Sequence, residues 1–162
     1  MAFGDANTGE AVGTAGTMLR TVDAGASWIT QAPMTTRILE AVSFADADIG
    51  VAVGGSCFAR ACFSTILRTT DGGASWTVQE DGGGHGLLLG VSFADANLGV
   101  VVGSNGGILR TVDGGASWTQ MRVTPNHLYG VSFIDSNTGT VVGGEATILQ
   151  TMDGGETWTL QE

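Results

Sequence analysis

Few side chains in this chain have the types and the spacing that a catalytic site or a metal site needs. Cys57 and Cys62 are the two cysteines, with four residues between them in GGSCFARACFST. A structural zinc site needs four ligands, so this pair alone does not make one. Across a β-hairpin the two sulfurs would face each other and could bond; otherwise they are two free thiols. A bond would indicate an extracytoplasmic, oxidising compartment.

The two histidines occupy similar places, each just before an apolar run. His85 lies in GGGHGLLL and His127 lies in TPNHLYG. If two copies of the chain met, four imidazoles would approach one another, as a metal site would require. The simpler interpretation is that both histidines lie in solvent-exposed loops. We therefore predict that the protein holds no metal and no cofactor.

Motifs of known enzyme classes do not occur in the sequence. A glycosidase needs two carboxylates around the scissile bond, and nothing distinguishes such a pair among the sixteen acids. The one tyrosine, Tyr129, lies in the apolar run HLYGVSF. There is no phosphate-binding GxxxxGK[ST] loop, no GxSxG elbow and no HExxH pair. We predict that the chain is not an enzyme.

The charge balance is strongly acidic. Sixteen Asp and Glu face six bases, all of them arginine, for a net charge of −10. Such a surface repels a phosphate backbone and an anionic membrane, so nucleic-acid binding is disfavoured. No apolar run is long enough to cross a bilayer, so we expect no membrane insertion. The simplest role of the charge is solubility.

The elements that position these side chains are specified by a repeat. One phrase occurs four times, as RTVDAGASWIT (20–30), RTTDGGASWTV (68–78), RTVDGGASWTQ (110–120) and QTMDGGETWTL (150–160). A second phrase precedes each, as FGDANTG (3–9), FADADIG (44–50), FADANLG (93–99) and FIDSNTG (133–139). Two phrases in fixed order at a period of about 40 residues indicate a repeat architecture. The repeats run approximately over 1–33, 34–82, 83–124 and 125–162, within a single domain.

Within one repeat, four short strands can be predicted. In the third repeat they are 87–93, 100–103, 108–112 and 117–121, separated by turns rich in Asp, Asn and Gly. Four antiparallel strands in about 40 residues make one blade of a β-propeller. A β-sandwich would suit the spacing of the turns but not a regular four-fold repeat. The sequence therefore predicts an all-β propeller built of four-stranded antiparallel blades.

The first phrase, T-x-D-x-G-x-[ST]-W, resembles the Asp-box (BNR) repeat of sialidase-like propellers. The resemblance implies that each Asp folds back onto turn amides and that each Trp packs beneath the turn, between blades. The residues concerned are Asp23, Trp28, Asp71, Trp76, Asp113, Trp118, Asp153 and Trp158. The fuller unit, GVSFADANLGVVVGSNGGILRTVDGGASWTQ, is similar over nearly the whole chain to the photosystem II stability/assembly factor family. In that family an arginine patch holds a partner protein, whereas the repeated placement of Arg20, Arg68 and Arg110 favours blade packing.

The number of blades in a closed ring stays open. Only Met1 and Ala2 precede Phe3, so the first blade lacks most of its inner strand. Propellers resembling this one close with six to eight blades. Three interpretations follow: a four-bladed monomer, two chains forming an eight-bladed ring, or part of a longer protein. We favour the homodimeric ring, because an open half-ring exposes blade faces and strand edges.

Sequence variation among the repeats is confined to one set of loops. These are the blade-joining loops and the loops between second and third strands, which a propeller places on one face. The candidate partner-binding residues on it are Arg37, Phe58, Arg60, Phe63, His85, Arg122, His127 and Glu145. We predict a non-enzymatic scaffold that binds a protein or peptide there. The alternatives are a glycan-binding or vestigial sialidase-like propeller, and a repeat fragment that only self-assembles.

Overall fold

Sixteen short strands form four separate antiparallel sheets in the part of the chain that the structure, a computed structural model, describes: residues 1–59 and 61–161. Blade 1 consists of β1 (Ala2–Phe3), β2 (Gly9–Val12), β3 (Met18–Thr21) and β4 (Ile29–Thr30). Blade 2 consists of β5 (Ile38–Phe44), β6 (Gly50–Phe58), β7 (Ala61–Thr69) and β8 (Thr77–Gly83). Blade 3 consists of β9 (Leu88–Phe93), β10 (Gly99–Gly103), β11 (Gly107–Thr111) and β12 (Thr119–Arg122). Blade 4 consists of β13 (Leu128–Phe133), β14 (Gly139–Gly143), β15 (Ile148–Thr151) and β16 (Thr159–Leu160).

Strand order within each sheet follows the chain, so every connection inside a blade is a simple antiparallel turn. The predicted all-β fold of four four-stranded propeller blades is confirmed. The inner strand of blade 1 has two residues, Ala2 and Phe3, which pair with Glu10 and Gly9. This matches the shortened first strand that the sequence predicts.

The apolar core lies between blades. Strand β10 illustrates the reason: Val100, Val101 and Val102 are all fully buried, although successive side chains of a strand point to opposite faces. Val101 packs towards blade 2, while Val100 and Val102 pack towards blade 4. Three such apolar clusters link blades 1 and 2, blades 2 and 3, and blades 3 and 4. We call these contacts joint 1–2, joint 2–3 and joint 3–4.

The turn between the third and fourth strands of each blade, the 3–4 turn, is held by one aspartate. In blade 2, the Asp71 carboxylate accepts hydrogen bonds from the Ser75 amide (2.8 Å), the Ser75 hydroxyl (2.6 Å) and the Thr69 hydroxyl (2.8 Å). The other three blades repeat this pattern with Asp23, Asp113 and Asp153. These bonds favour the charged carboxylate and lower the pKa of those three groups to about 2.

Each 3–4 turn is also tied to the turn between the first and second strands of the same blade. The Gly72 amide donates to the Asp48 carbonyl at 2.9 Å, and the equivalent bond recurs in the other blades. Beneath the turn, Trp76 meets Phe44 edge-on with ring centroids 6.3 Å apart. Trp76, Trp118 and Trp158 pack into joints 1–2, 2–3 and 3–4. Trp28 meets Phe3 of its own blade edge-on and is not part of any of these three joints.

Candidate functional site

The loops opposite the 3–4 turns, which we call the loop face, carry the candidate partner-binding residues. Their most prominent feature is the extension of β6 and β7 into a long hairpin whose pairing continues to Phe58 and Ala61. Three of the four blades have a short turn at this place. In blade 2, Cys57 and Cys62 lie directly opposite each other and form a disulfide. Of the two states left open by the sequence, the structure therefore has the bonded one.

The hairpin tip presents an apolar side chain to solvent. Phe58 is 82% exposed, just beyond the disulfide. Ala59, in the turn, has a φ of +56°, in the left-handed region that most residues avoid. The fourth candidate of this loop, Arg60, lies outside the described residues. The cross-link holds the two strands in register and limits the freedom of the Phe58 backbone.

At the base of the hairpin, an aromatic ring and an arginine form a pair. The guanidinium carbon of Arg37 lies 5.6 Å from the centroid of the Phe63 ring, within the range of a cation–π contact. Phe63 is half-buried, in contrast to Phe58. The two phenylalanines, which the sequence treats alike, therefore differ: one packs on the blade and one projects from it.

A polar cluster that the sequence did not predict lies beside this pair. The hydroxyl of the fully buried Ser64 donates to Glu80 Oε1, and His85 Nε2 lies 3.1 Å from Glu80 Oε2. The carboxylate thus sits between the serine and the histidine. A hydrolytic triad instead needs the histidine in contact with the nucleophile, so this order does not activate Ser64. Arg37, Phe58, Phe63, Glu80 and His85 together make what we call the hairpin patch.

A second group of loop-face residues lies where blade 3 meets blade 4. His127 Nδ1 accepts a hydrogen bond from the Asn105 amide at 3.3 Å, and its ring stacks on Tyr129 with centroids 6.4 Å apart. Arg122 and Asn105 line a shallow groove with Val123, Thr124 and Pro125. Glu145 lies in the next turn with a φ of +51°. The predicted candidates thus fall into two groups, one around the hairpin of blade 2 and one where blade 3 meets blade 4.

The two faces of the molecule differ in how their acids are used. On the 3–4 turn face, aspartates such as Asp5 and Asp135 accept backbone N–H bonds within their own turns, which lower the pKa of both carboxyls. The joint arginines also point towards this face, because each donates to a 3–4 turn. On the loop face, Arg37 and Arg122 instead accompany aromatic and apolar side chains. The loop face is the better candidate for binding a peptide.

Among residues 1–59 and 61–161, no three His, Cys, Asp or Glu side chains come together as metal ligands would. In the same residues, no helix has the length and apolar character needed to cross a bilayer.

The fold and the repeated joints define the class of this protein as a β-propeller. No known family model matches the chain, and no curated protein sequence matches it. Among solved structures, the photosystem II assembly factor YCF48 bound to D1 peptide aligns with a TM-score of 0.60 and 17% identity, over 98% of this chain and 78% of that one. An ancestral GH74 enzyme aligns with a TM-score of 0.74 and 15% identity, over 96% of this chain and 22% of that one. The resemblance to photosystem II assembly-factor propellers is thus confirmed at the level of the fold.

Proposed function

We propose that this chain is a non-enzymatic propeller scaffold that binds a protein or peptide segment on its loop face, with the hairpin patch as the main contact. The observation that carries the proposal is the 82% exposure of Phe58 at the tip of a disulfide-closed hairpin. A rigid, exposed aromatic side chain loses little conformational entropy on binding, which is why such residues anchor interfaces. The YCF48 structure, which contains a D1 peptide, is a propeller of similar fold with a peptide partner.

The chemistry of the patch specifies the kind of segment it would hold. Phe58, 82% exposed at the hairpin tip, offers apolar area, and the half-buried Phe63 contacts the Arg37 guanidinium. Glu80 accepts from Ser64 and contacts His85, so it lies within a polar cluster of the patch. We propose that the preferred segment inserts an apolar side chain against Phe58.

A displayed library of random 12-residue peptides tests this proposal. Peptides selected on the wild-type protein would be measured against Phe58→Ser and against Val112→Ser, a 60% exposed apolar residue on the 3–4 turn face. Burial of one phenylalanine contributes about 1.5–3 kcal/mol, so F58S should weaken binding about 10- to 100-fold and V112S should leave it unchanged. Equal affinity for the wild type and F58S would contradict the assignment of the hairpin patch.

A glycan-binding role is a second candidate, because a GH74 enzyme shares the propeller fold with a TM-score of 0.74. In this interpretation the groove of Arg122, Asn105 and Pro125 would hold a sugar, with Tyr129 and His127 beside it. An array of immobilised oligosaccharides separates the two candidates. Specific retention that is lost in Tyr129→Ala would favour a glycan ligand over a peptide.

The scaffold proposal includes assembly of the chain into a larger ring, with two copies giving eight blades. Such a ring would carry two hairpin patches and would bind a bivalent partner more tightly than a single patch. The alternative, self-assembly without any partner, predicts a ring from which the peptide library selects nothing.

A further inference from the structure

The outer face of blade 4 presents half of a joint to solvent. In joints 2–3 and 3–4, the apolar side chains that face the next blade include Val53 with Ile66, and Val102 with Ile108, each at most 1% exposed. The equivalent side chains of blade 4, Val142 and Ile148, are 47% and 44% exposed. The strand pairing is the same, since Val142 lies opposite Ile148 as Val102 lies opposite Ile108.

The polar part of each joint is a hydrogen bond from an arginine to the next 3–4 turn. Arg20 Nε donates to the Gly72 carbonyl at 3.2 Å, Arg68 Nε to Gly114 at 2.8 Å and Arg110 Nε to Gly154 at 2.8 Å. Blade 4 has Gln150 at this place, opposite Thr140 as Arg110 is opposite Val100. Gln Nε2 is joined to Cα through the same number of bonds as Arg Nε, and it also carries N–H. Gln150 can therefore make the same bond without a charge.

Blade 1 presents the other half of the joint. Phe3 is 41% exposed, and Leu19 and Trp28 are partly exposed, whereas Leu67, Leu109 and Leu149 are buried at the place of Leu19. The acceptor is also present. The Ala24 amide bonds to the Asn7 carbonyl at 2.9 Å, as Gly72 bonds to Asp48, and Ala24 keeps the left-handed φ, +59°. The Ala24 carbonyl is thus placed as the acceptor carbonyls of the three joints are.

We infer that the outer face of blade 4 docks on the free face of blade 1 in a second copy of this chain. Val142 and Ile148 then pack on Leu19 and Trp28, and Gln150 Nε2 donates to the Ala24 carbonyl. Two copies make two such joints and close by two-fold symmetry. This inference specifies the interface of the ring in the proposed function, but it does not depend on peptide binding.

The second copy is the occupant because the free faces of blade 4 and blade 1, apart from the two-residue inner strand of blade 1, repeat the two halves of a joint that the chain already makes three times. No charge is left unpaired in the new joint, since a neutral glutamine replaces the arginine. The new joint differs from the internal ones at Ile134, which follows Phe133 where Gly4, Ala45 and Ala94 follow their phenylalanines. Its larger side chain is 82% exposed and adds apolar area beside Phe3.

Sedimentation velocity on the full chain, from 1 to 200 µM, tests the inference. The wild type should sediment as a dimer, and Val142→Asp should raise the dissociation constant at least 100-fold. The matched control is Val78→Asp, a 44% exposed valine on β8, the outer strand of blade 2 and away from the proposed interface, which should remain dimeric. Phe58→Ser should also remain dimeric, so failure of the ring and failure of peptide binding are distinguishable. Far-UV circular dichroism checks that each variant is folded.

A mixing experiment tests the head-to-tail direction. Val142→Asp blocks the blade 4 half, and Leu19→Asp blocks the blade 1 half, so each variant alone should be monomeric. An equimolar mixture leaves one intact joint and should form a dimer of one chain of each kind. A monomeric wild type at every concentration would overturn the inference. So would a dimer that V142D does not affect, or a mixture that stays monomeric.

Discussion

Joint 1–2 and joint 2–3 share one backbone geometry, and the side chains at one place in them differ sharply in polarity. Val51 in blade 2 is fully buried against Gly115, whereas its equivalent in blade 1 is Glu10, also fully buried and pressed against Gly73. Neither carboxylate oxygen of Glu10 has a hydrogen-bond partner in the described part of the chain. The guanidinium of Arg20 lies near, with Nε 3.8 Å from Glu10 Oε1. The joint thus tolerates a buried acid at a place where burial favours valine.

The free-energy cost of burying the Glu10 carboxyl depends on pH. Burial raises the pKa of Glu10 to about 8, although the charge of Arg20 acts in the opposite direction. The folded protein therefore holds a proton that the unfolded chain releases above its ordinary pKa of 4.5. The contribution of Glu10 to stability is most favourable below that value and becomes less favourable as the pH rises towards 8. The repeat thus sets where a side chain lies in the joint, and the chemistry of that side chain sets the free-energy cost of burying it.

The largest effect on stability is expected when a glutamate is placed in joint 2–3 at the position that Glu10 has in joint 1–2. Val51→Glu should lower the free energy of unfolding by on the order of 4 kcal/mol at pH 8, because a buried apolar contact becomes a carboxylate. The loss should be smaller at pH 5, where the buried acid is protonated. Urea unfolding at both pH values measures it, with Val51→Thr as the uncharged control. An equal loss at both pH values would show that shape, not charge, is responsible.

The reverse substitution should stabilise the protein. Glu10→Val should raise the free energy of unfolding by on the order of 3 kcal/mol at pH 7 and have a much smaller effect near pH 3, where the acid carries its proton in both states. Glu10→Gln keeps the shape and removes the titration, so its stability should stay level between pH 5 and pH 8. A wild-type curve already level over that range would refute the raised pKa of Glu10.

An intermediate effect on stability is expected at the exposed acids of the 3–4 turns. Their contribution to stability changes with pH in the opposite direction to that of Glu10. Asp71→Ala should cost about 1–2 kcal/mol at pH 7, as the loss of a capping carboxylate does elsewhere. Hydrogen bonds from Ser75 and Thr69 lower the pKa of Asp71, so its stabilising effect is full above pH 4 and lost as the pH falls below that. The D71A and wild-type unfolding curves should therefore converge at low pH. Curves that stay parallel would mean that the charge of Asp71 contributes nothing.

The smallest effect on stability is expected when the arginine Nε that donates the hydrogen bond of a joint is removed. Arg68→Met should cost about 1 kcal/mol, since the Gly114 carbonyl loses the Nε bond. Arg68→Gln retains an N–H donor at the same reach and should cost less than half as much. Thermal unfolding of both variants measures the difference. An equal loss of stability in Arg68→Gln and Arg68→Met would mean that Gln150 cannot replace an arginine in the joint.

Much of the fold follows from the repeated phrases. The aspartates of the 3–4 turns interact within four residues of chain, so their geometry is local and the sequence predicts it. Glu10 is different. In GEAV it looks like a polar residue facing solvent, and only alignment with GVAV and GVVV places it at a buried joint.

The hairpin patch was predictable only in part. Cys57, Phe58 and Phe63 are conspicuous because their loop is longer than the others. Ser64 and Glu80 meet through the pairing of β7 with β8, which contains two register shifts. No feature of the sequence specifies such shifts, so neither residue was predicted. Similarly, the contact of Arg37 with Phe63 depends on how the blade-joining loop crosses the hairpin.

The joint hydrogen bond also makes the number of blades adjustable. Arg68 and Arg110 use the same atom, and Gly114 and Gly154 offer the same carbonyl. If residues 83–124 were excised, Arg68 would meet Gly154 in the way that Arg110 now does. A duplicated blade would likewise find matching surfaces on both sides. A gene built of such units can gain or lose one through unequal recombination, and every new neighbour already fits.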